Sequence, residues 1–143
     1  MNWEAFLIPI TESDTSANEW HNGTLSEWEE YYGKAKKIDK DYYELFVNNQ
    51  HFIFLVDPKT NIIIAEAYYK KSIHTIDGFI VDSDYRKQGY AEKFIRWCID
   101  NLKINKIRVE TDNIAAIKLY KKCGFKIDHT IKKSNTELYL MKL

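Results

Sequence analysis

The residues best suited to chemistry lie in one short basic turn, Tyr85 to Ala91, with the sequence YRKQGYA. A strand-like stretch precedes it and an apolar pattern of helical spacing follows it, so the turn is predicted to open a helix. A helix N-terminus offers free N–H groups and the positive end of the helix dipole. Gly89 leaves room for an anion beside the backbone, while Arg86 and Lys87 add positive charge. The turn therefore predicts an anion site that suits a diphosphate; the alternative is a plain strand-to-helix turn with exposed basic residues.

A second segment, 113–125, reads as a capped helix with a glycine stop. Asn113 stands where a helix cap is expected, and Gly124 where the chain leaves the helix in a left-handed conformation. Between them, Tyr120 lies on the apolar face. From the residues alone, a capping asparagine and a core tyrosine explain this segment.

The elements around these two segments predict a mixed α/β sheet with helices on both faces. Strands are expected at Trp3–Ile10, Gln50–Val56, Ile62–Tyr69, Ser72–Val81, Lys106–Glu110, Phe125–Thr130 and Glu137–Leu143. Residues 15–47 predict two or more helices or helical turns, because aromatic residues recur at helical spacing, among them Tyr42, Tyr43 and Phe46. The whole chain, 1–143, is expected to form one domain.

Two polar interruptions in the predicted strands are candidates for special roles. Gly78 within a strand predicts a bulge or a close backbone approach. Glu66 interrupts an apolar run, and a place on the solvated face is favoured over a pocket-facing carboxylate. Acids and aromatic residues also mix over 19–46; a pocket for a cationic amine is one interpretation, and a solvated helix face is favoured.

Composition excludes several classes of protein. The chain has 143 residues, 21 basic and 21 acidic, and a formal net charge of zero, which argues against a nucleic-acid-binding protein. Two cysteines make neither a disulfide framework nor a metal site. No basic n-region marks a signal peptide, and no apolar run is long enough to cross a membrane. We expect a soluble cytoplasmic protein without a metal.

The motifs resemble those of the GNAT acyl-CoA N-acyltransferases. The run Arg86–Ala91 is similar to the R/Q-x-x-G-x-G/A signature of that family, and 81–85 (VDSDY) is similar to its V-D-P-x-Y/F lead-in, with Ser83 in place of proline. The segment from Asn113 to Phe125 resembles its second signature, at the usual separation. Neither a GxGxxG nor a Walker motif is present, so NAD and ATP are poor alternatives.

The resemblance implies a single-domain fold with a mixed, mostly antiparallel sheet of about seven strands, opened by two splayed central parallel strands, Ile73–Val81 and Lys106–Glu110. It implies acetyl transfer from acetyl-CoA to a primary amine of a small molecule, peptide or protein. The coenzyme would contact Phe79, Ile80, Val81, Arg86, Lys87, Gln88, Gly89, Tyr90, Ala91, Glu92, Asn113 and Tyr120. It is compatible with a homodimer, and no nucleic acid, membrane or metal is implied.

Catalytic roles follow from the same resemblance. Tyr120 would protonate the departing thiolate, since a phenol and a thiol have comparable basicity. The two positions that carry a general base in the family fall at Thr75 and Arg108, which cannot serve, so Asp77 is the candidate, with Glu66 and a bound water as alternatives. A non-catalytic acyl-CoA sensor or interaction domain is the alternative function, and a small α/β protein with neither activity is a third.

Overall fold

The computed structural model describes residues 19–143. The predicted first strand, Trp3–Ile10, lies outside the described residues. Three α-helices and eight strands follow in the order α1, β1–β5, α2, β6, α3, β7, β8. The helices are α1 (Leu25–Tyr32), α2 (Tyr90–Trp97, continued by a π-helical turn at Cys98–Leu102) and α3 (Ile114–Lys122). The strands are β1 (Lys36–Asp39), β2 (Tyr42–Val47), β3 (Gln50–Val56), β4 (Ile63–Lys70), β5 (Thr75–Val81), β6 (Lys106–Glu110), β7 (Lys126–Lys132) and β8 (Glu137–Lys142).

All eight strands form one sheet in the order β1-β2-β3-β4-β5-β6-β8-β7. The central neighbours β5 and β6 are parallel. The other neighbouring strands pair antiparallel. The predicted mixed, mostly antiparallel sheet with a central parallel pair is therefore confirmed, with eight strands in the described residues where about seven were expected.

The prediction of helices through residue 47 is wrong over its second half. Tyr42, Tyr43 and Phe46 lie in strand β2, which pairs in full register with β3. Their spacing fits a short strand as well as a helix, and burial against β3 decides in favour of the strand. The sequence did contain a signal for this hairpin, the pair Asn48-Asn49, because asparagine tolerates the positive φ that a tight hairpin turn requires. In the structure, both residues have positive φ (53° and 61°).

Helices cover both faces of the sheet. On one face, α1 begins with a capping box between Thr24 and Glu27, and its Trp28 packs against Phe52 and Phe54 with ring centroids 5.6 and 5.0 Å apart. On the other face, α2 and α3 enclose the larger core, whose buried members include Phe94, Ile107 and Phe125. The predicted two-faced covering is confirmed.

Strand β5 begins later than predicted. Residues 71–73 form a 3-10 turn, and His74 adopts a left-handed conformation (φ 51°), so the strand starts at Thr75 rather than Ser72. Among residues 19–143, no helix is both long enough and apolar enough to cross a membrane.

Candidate functional site

The sheet opens between its two parallel strands. β5 and β6 pair only at Thr75–Lys106 and Ile76–Ile107. Past Ile76, no strand in the described residues pairs with β5 on this side. On this side, the backbone of β5 at residues 77–81 therefore has no strand partner, and the gap between β5 and β6 is called the cleft. Backbone groups without a strand partner can pair with a bound molecule.

A bulge in β5 re-aims the side chains along this cleft. In the pairing with β4, Tyr68 faces Asp77 and Glu66 faces Ile80, so Gly78 and Phe79 together oppose one residue. The bulge expected at Gly78 is present, and its φ is 63°. An unbroken strand would place Asp77 and Phe79 on one face, and the bulge separates them. Phe79 stacks on Phe94 of α2 (5.1 Å), whereas Asp77 lies on the α1 face beside Tyr68.

The basic turn holds an open space at the start of α2. Gly89 caps the helix with φ 86°, and a Cβ built there would meet nothing within 4 Å. The first intrahelical hydrogen bond runs from the Lys93 N–H to the Gly89 carbonyl at 3.1 Å. The backbone N–H groups before Lys93 have no partner within the helix. The turn thus combines free donors, the helix dipole and room for an anion.

Two side chains of the turn serve the turn itself. Arg86 Nε donates to the Val81 carbonyl at 3.0 Å, and Gln88 Nε2 donates to the Asp84 carbonyl at 3.0 Å. Partial burial lowers the pKa of Arg86, and Asp82 acts in the opposite direction. Lys87 adopts a left-handed conformation (φ 61°). Its side chain is exposed, so its charge is available to a ligand at this turn.

Asp82, which the sequence prediction did not single out, fixes the entry to this turn. Its carboxylate is buried and accepts hydrogen bonds from the Asp84 N–H (2.9 Å) and the Asn22 N–H (3.2 Å). His21 Nδ1 lies 3.3 Å away. Aspartate directly before a turn is a capping signal, so the motif itself contained the clue.

The second predicted segment lies on α3. Asn113 Oδ1 accepts the Ala116 N–H at 3.0 Å, so the expected cap is present. Tyr120 is 3% exposed, and its ring lies edge-on to Phe125 with centroids 6.3 Å apart. Both the helix cap and a core packing role are therefore observed for these residues.

Glu92 connects the helix of the basic turn to α3. It accepts hydrogen bonds from Lys122 Nζ and Arg96 Nε, each at 2.9 Å. Those two bonds hold the pKa of the Glu92 carboxyl below its usual value. The connection orients α3, which carries Asn113 and Tyr120, relative to the N-terminus of α2.

Two carboxyl groups lie on the α1 face near the cleft. Asp77 Oδ2 is 3.5 Å from Arg108 Nη1 and 3.6 Å from Lys70 Nζ. Glu66 was expected on a solvated face, and that expectation is wrong: it is 0% exposed. Burial raises the pKa of its carboxyl well above the ordinary value. Thr75, by contrast, is buried and donates to the Ile73 carbonyl.

Two acids of the α1 region, Glu27 and Glu29, have structural partners. Glu27 completes the helix cap, and Glu29 Oε2 accepts the Ala35 N–H at 2.8 Å. Trp28 belongs to the core, whereas Tyr31 is 65% exposed. This geometry favours a solvated helix face, with structural roles for these residues, over a pocket for a cationic amine.

The opened parallel pair, the bulge and the free helix N-terminus define a class of α/β proteins with a cleft in mid-sheet. A family model described as acetyltransferase (GNAT) family matches residues 16–125. The chain belongs to the GNAT acetyltransferase family. No curated protein is similar enough in sequence to count as a relative.

Solved structures share the fold at low sequence identity. A dodecameric spermidine N-acetyltransferase from Vibrio cholerae is 18% identical with a TM-score of 0.50, over 67% of this chain and 65% of that one. A ribosomal-protein-S5-alanine acetyltransferase from Vibrio fischeri gives 18% and 0.52, over 66% and 61%. A NatC complex bound to Gag peptide and CoA gives 24% and 0.52, over 64% and 69%. The match thus spans less than two thirds of the first two structures, and these likenesses show the fold.

Proposed function

We propose that this protein is an N-acetyltransferase that moves an acetyl group from acetyl-CoA to a primary amine by direct attack. The observation that carries the proposal is the end of β5–β6 pairing after Ile76, which leaves β5 without a strand partner on that side up to the turn where Gly89 begins α2. Membership of the GNAT family supports an acyltransferase that uses acetyl-CoA. The cleft and the turn match the two ends of that cosubstrate, an amide-containing arm and a diphosphate.

In this proposal, the pantetheine arm pairs with the free edge of β5 at Phe79, Ile80 and Val81. One N–H of that edge polarises the thioester carbonyl, and the loss of such a donor typically costs about 3–4 kcal/mol of transition-state stabilisation. The diphosphate sits against the N–H groups of residues 87–92, namely Lys87, Gln88, Gly89, Tyr90, Ala91 and Glu92, beside Arg86. Asn113 and Tyr120 complete the coenzyme site from α3.

The chemistry needs a proton donor for sulfur and a proton acceptor for nitrogen. Tyr120 is the proposed donor to the departing thiolate. Asp77 is the proton acceptor predicted from the sequence. In the structure, its carboxylate lies on the α1 face at the cleft and is 31% exposed, so it can be reached by an amine. Glu66 is the second carboxyl on this face.

The acceptor amine is proposed by class only. Spermidine and a protein or peptide N-terminus are the first to test, because the structural neighbours include a spermidine enzyme, a ribosomal-protein-alanine enzyme and a peptide-bound complex. The proposal also includes a cytoplasmic enzyme and self-association, the latter supported by the dodecameric neighbour and measured by light scattering.

Thiol release from acetyl-CoA, measured with and without each amine of a panel, tests the proposal. The expected result is release that depends on one class of amine and falls sharply in Tyr120→Phe. Tight CoA binding with no release on any amine would instead identify an acyl-CoA sensor. Absence of any thermal shift with CoA would exclude both.

A further inference from the structure

Glu66 is a carboxyl group that the fold buries without a partner. Within residues 19–143, both of its side-chain oxygens are inaccessible and neither has a hydrogen-bond partner. The side chain is 0% exposed. A buried polar group without a partner is unfavourable and rare in folded proteins, so it calls for a physical explanation.

The strand register places Glu66 next to the cleft. Its neighbours across the ladder are Phe54 on β3 and Ile80 on β5. Directly opposed residues share a face, with Cβ atoms about 4.5–5.5 Å apart. Ile80 is the first residue past the bulge, lies on the free edge of β5 and is only partly buried. One partly buried side chain therefore separates the carboxyl from the edge where the thioester is proposed to bind.

This is also the face opposite the coenzyme helices. Phe79 stacks on Phe94 of α2, on the side of the larger core. Glu66 alternates with Ala65 and Ala67, which belong to that core, and so points to the α1 side with Tyr68 and Phe54. Glu66 and Asp77 are therefore the two candidate carboxyls on the side from which the amine is proposed to approach.

Charge separates the two candidates. Lys70 and Arg108 both contact Asp77, so that this cluster carries net positive charge and repels an incoming ammonium. Around Glu66, the ladder neighbours Phe54 and Ile80 are apolar. The titratable groups packed against the cluster on this face are the phenols of Tyr32, Tyr43 and Tyr68. No neighbouring charge contributes to the raised pKa of Glu66, whose cause is burial. Within the described residues, no counter-ion therefore neutralises the Glu66 carboxyl.

We propose that Glu66 is the general base of the transfer reaction, which accepts the proton of the acceptor ammonium through one bound water. This inference rests on the proposed function. The ionised carboxylate takes one proton from R–NH₃⁺ and leaves R–NH₂. The nitrogen lone pair forms the C–N bond to the thioester carbon, the C–S bond breaks, and the sulfur leaves with its electron pair. The second nitrogen proton reaches sulfur through Tyr120, giving CoA thiol, and Glu66 then returns its proton to solvent.

The pH dependence follows from the burial of the base. Because burial raises the pKa of Glu66, its ionised fraction grows with pH through a range above that of an ordinary carboxyl. The kcat of the wild type therefore rises with pH on its acidic limb. The charged groups on this face include Lys70 and Arg108, which both contact Asp77. Lys106 and Glu110 share the Arg108 side of β6.

The test is the pH profile of kcat in Glu66→Gln, which keeps the shape of the side chain and removes its ionisation. The expected result is a roughly 10²- to 10⁴-fold fall in kcat and loss of the acidic limb. The Kd for CoA should stay within about twofold, since the carboxyl lies on the acceptor face. Glu44→Gln is the matched control: Glu44 lies on β2, where its carboxylate is 3.0 Å from His51, and its replacement should leave the profile intact.

Two further variants keep the proposal open to refutation. Glu66→Leu replaces the carboxyl with an apolar group and should fold at least as stably as the wild type while it loses turnover. Asp77→Asn should retain the acidic limb. If Glu66→Gln turns over within about threefold of the wild type with the same limb, or if Asp77→Asn alone loses it, the assignment to Glu66 is overturned while the acetyltransferase stands. If the wild type itself shows no turnover, the proposed function fails and this role fails with it.

Discussion

Replacement of Gly89 by alanine tests the phosphate turn through two quantities that the structure separates. Gly89 has φ 86°, and a Cβ there would meet nothing within 4 Å. The substitution therefore strains the backbone without a clash inside the free protein. The methyl group does, however, enter the open space in which we place the diphosphate. Strain is present in the free and the bound protein alike, so it affects stability, whereas the methyl group affects coenzyme binding.

The magnitudes follow from these two causes. A left-handed conformation costs an L-residue about 1–2 kcal/mol. For a chain of this size, about 1 kcal/mol lowers Tm by about 2–4 °C. If the methyl group displaces one charge-assisted hydrogen bond to phosphate, the loss is about 1.5–3 kcal/mol. That loss corresponds to an increase in Kd of about 10- to 150-fold. Gly89→Glu adds a negative charge at the same point and should abolish binding.

Calorimetric titration with CoA and thermal melting give the two numbers. Gly33→Ala is the control, because Gly33 also has positive φ (101°), open space around its would-be Cβ, and a position at the end of α1. Gly33→Ala should lose stability by a comparable or larger amount and bind CoA like the wild type. A folded Gly89→Ala or Gly89→Glu variant with unchanged Kd would refute the placement of the diphosphate at this turn.

Four further predictions concern single residues. Tyr120→Phe should lower kcat by about 10²- to 10⁴-fold with Kd for CoA nearly unchanged, measured by thiol release and titration. Asn113→Ala should lower the free energy of unfolding by about 1 kcal/mol through loss of the cap to Ala116, measured by denaturant titration, and Asn113→Asp should restore it. The raised pKa of Glu66 contributes stability that is present below about pH 4 and is lost as pH rises through its folded pKa. The free energy of unfolding of the wild type relative to Glu66→Leu should therefore fall as pH rises, by up to about 1.4 kcal/mol per pH unit, and the difference in Tm between them should follow it. Cys98 is fully buried and burial raises the pKa of its thiol, so thiol reagents should not label it in the native protein.

Each of these has a result that would contradict it. Wild-type turnover in Tyr120→Phe would remove the tyrosine as proton donor. A stable Asn113→Ala variant would show that the cap contributes nothing. A constant Tm difference between the wild type and Glu66→Leu across pH would mean that the carboxyl is already accessible to water, and rapid native labelling of Cys98 would mean that the core opens readily.

The backbone features that we assign to the donor half of the site could be predicted from the sequence because their signals are local. A glycine that caps a helix, an asparagine at the next helix start and the bulge glycine each act through backbone geometry within a few residues. The structure accordingly finds Gly89, Asn113 and Gly78 in those conformations. The parallel pair was implied by the resemblance to the GNAT family, and its limited register is what separates β5 from β6.

The acceptor half depended on long-range packing and was predicted less well. The aromatic spacing over Tyr42–Phe46 fits two kinds of element, and only the pairing with β3 decides for a strand. The burial of Glu66 depends on residues from β3, β5 and α1, which no local pattern reports. The bulge likewise moved Phe79 to the face opposite Asp77, although Gly78 had signalled that alternation would break there.

Transfer of an isotopically labelled acetyl group tests the central claim most directly. The wild type is incubated with acetyl-CoA labelled in the acetyl group and an amine that stimulates thiol release, and the amine product is examined by mass spectrometry. We predict label on the amine nitrogen in an amount equal to the thiol released, and neither product with Gly89→Glu. Thiol release without a labelled amine, or bound CoA with no release for any amine, would contradict the assignment as an N-acetyltransferase.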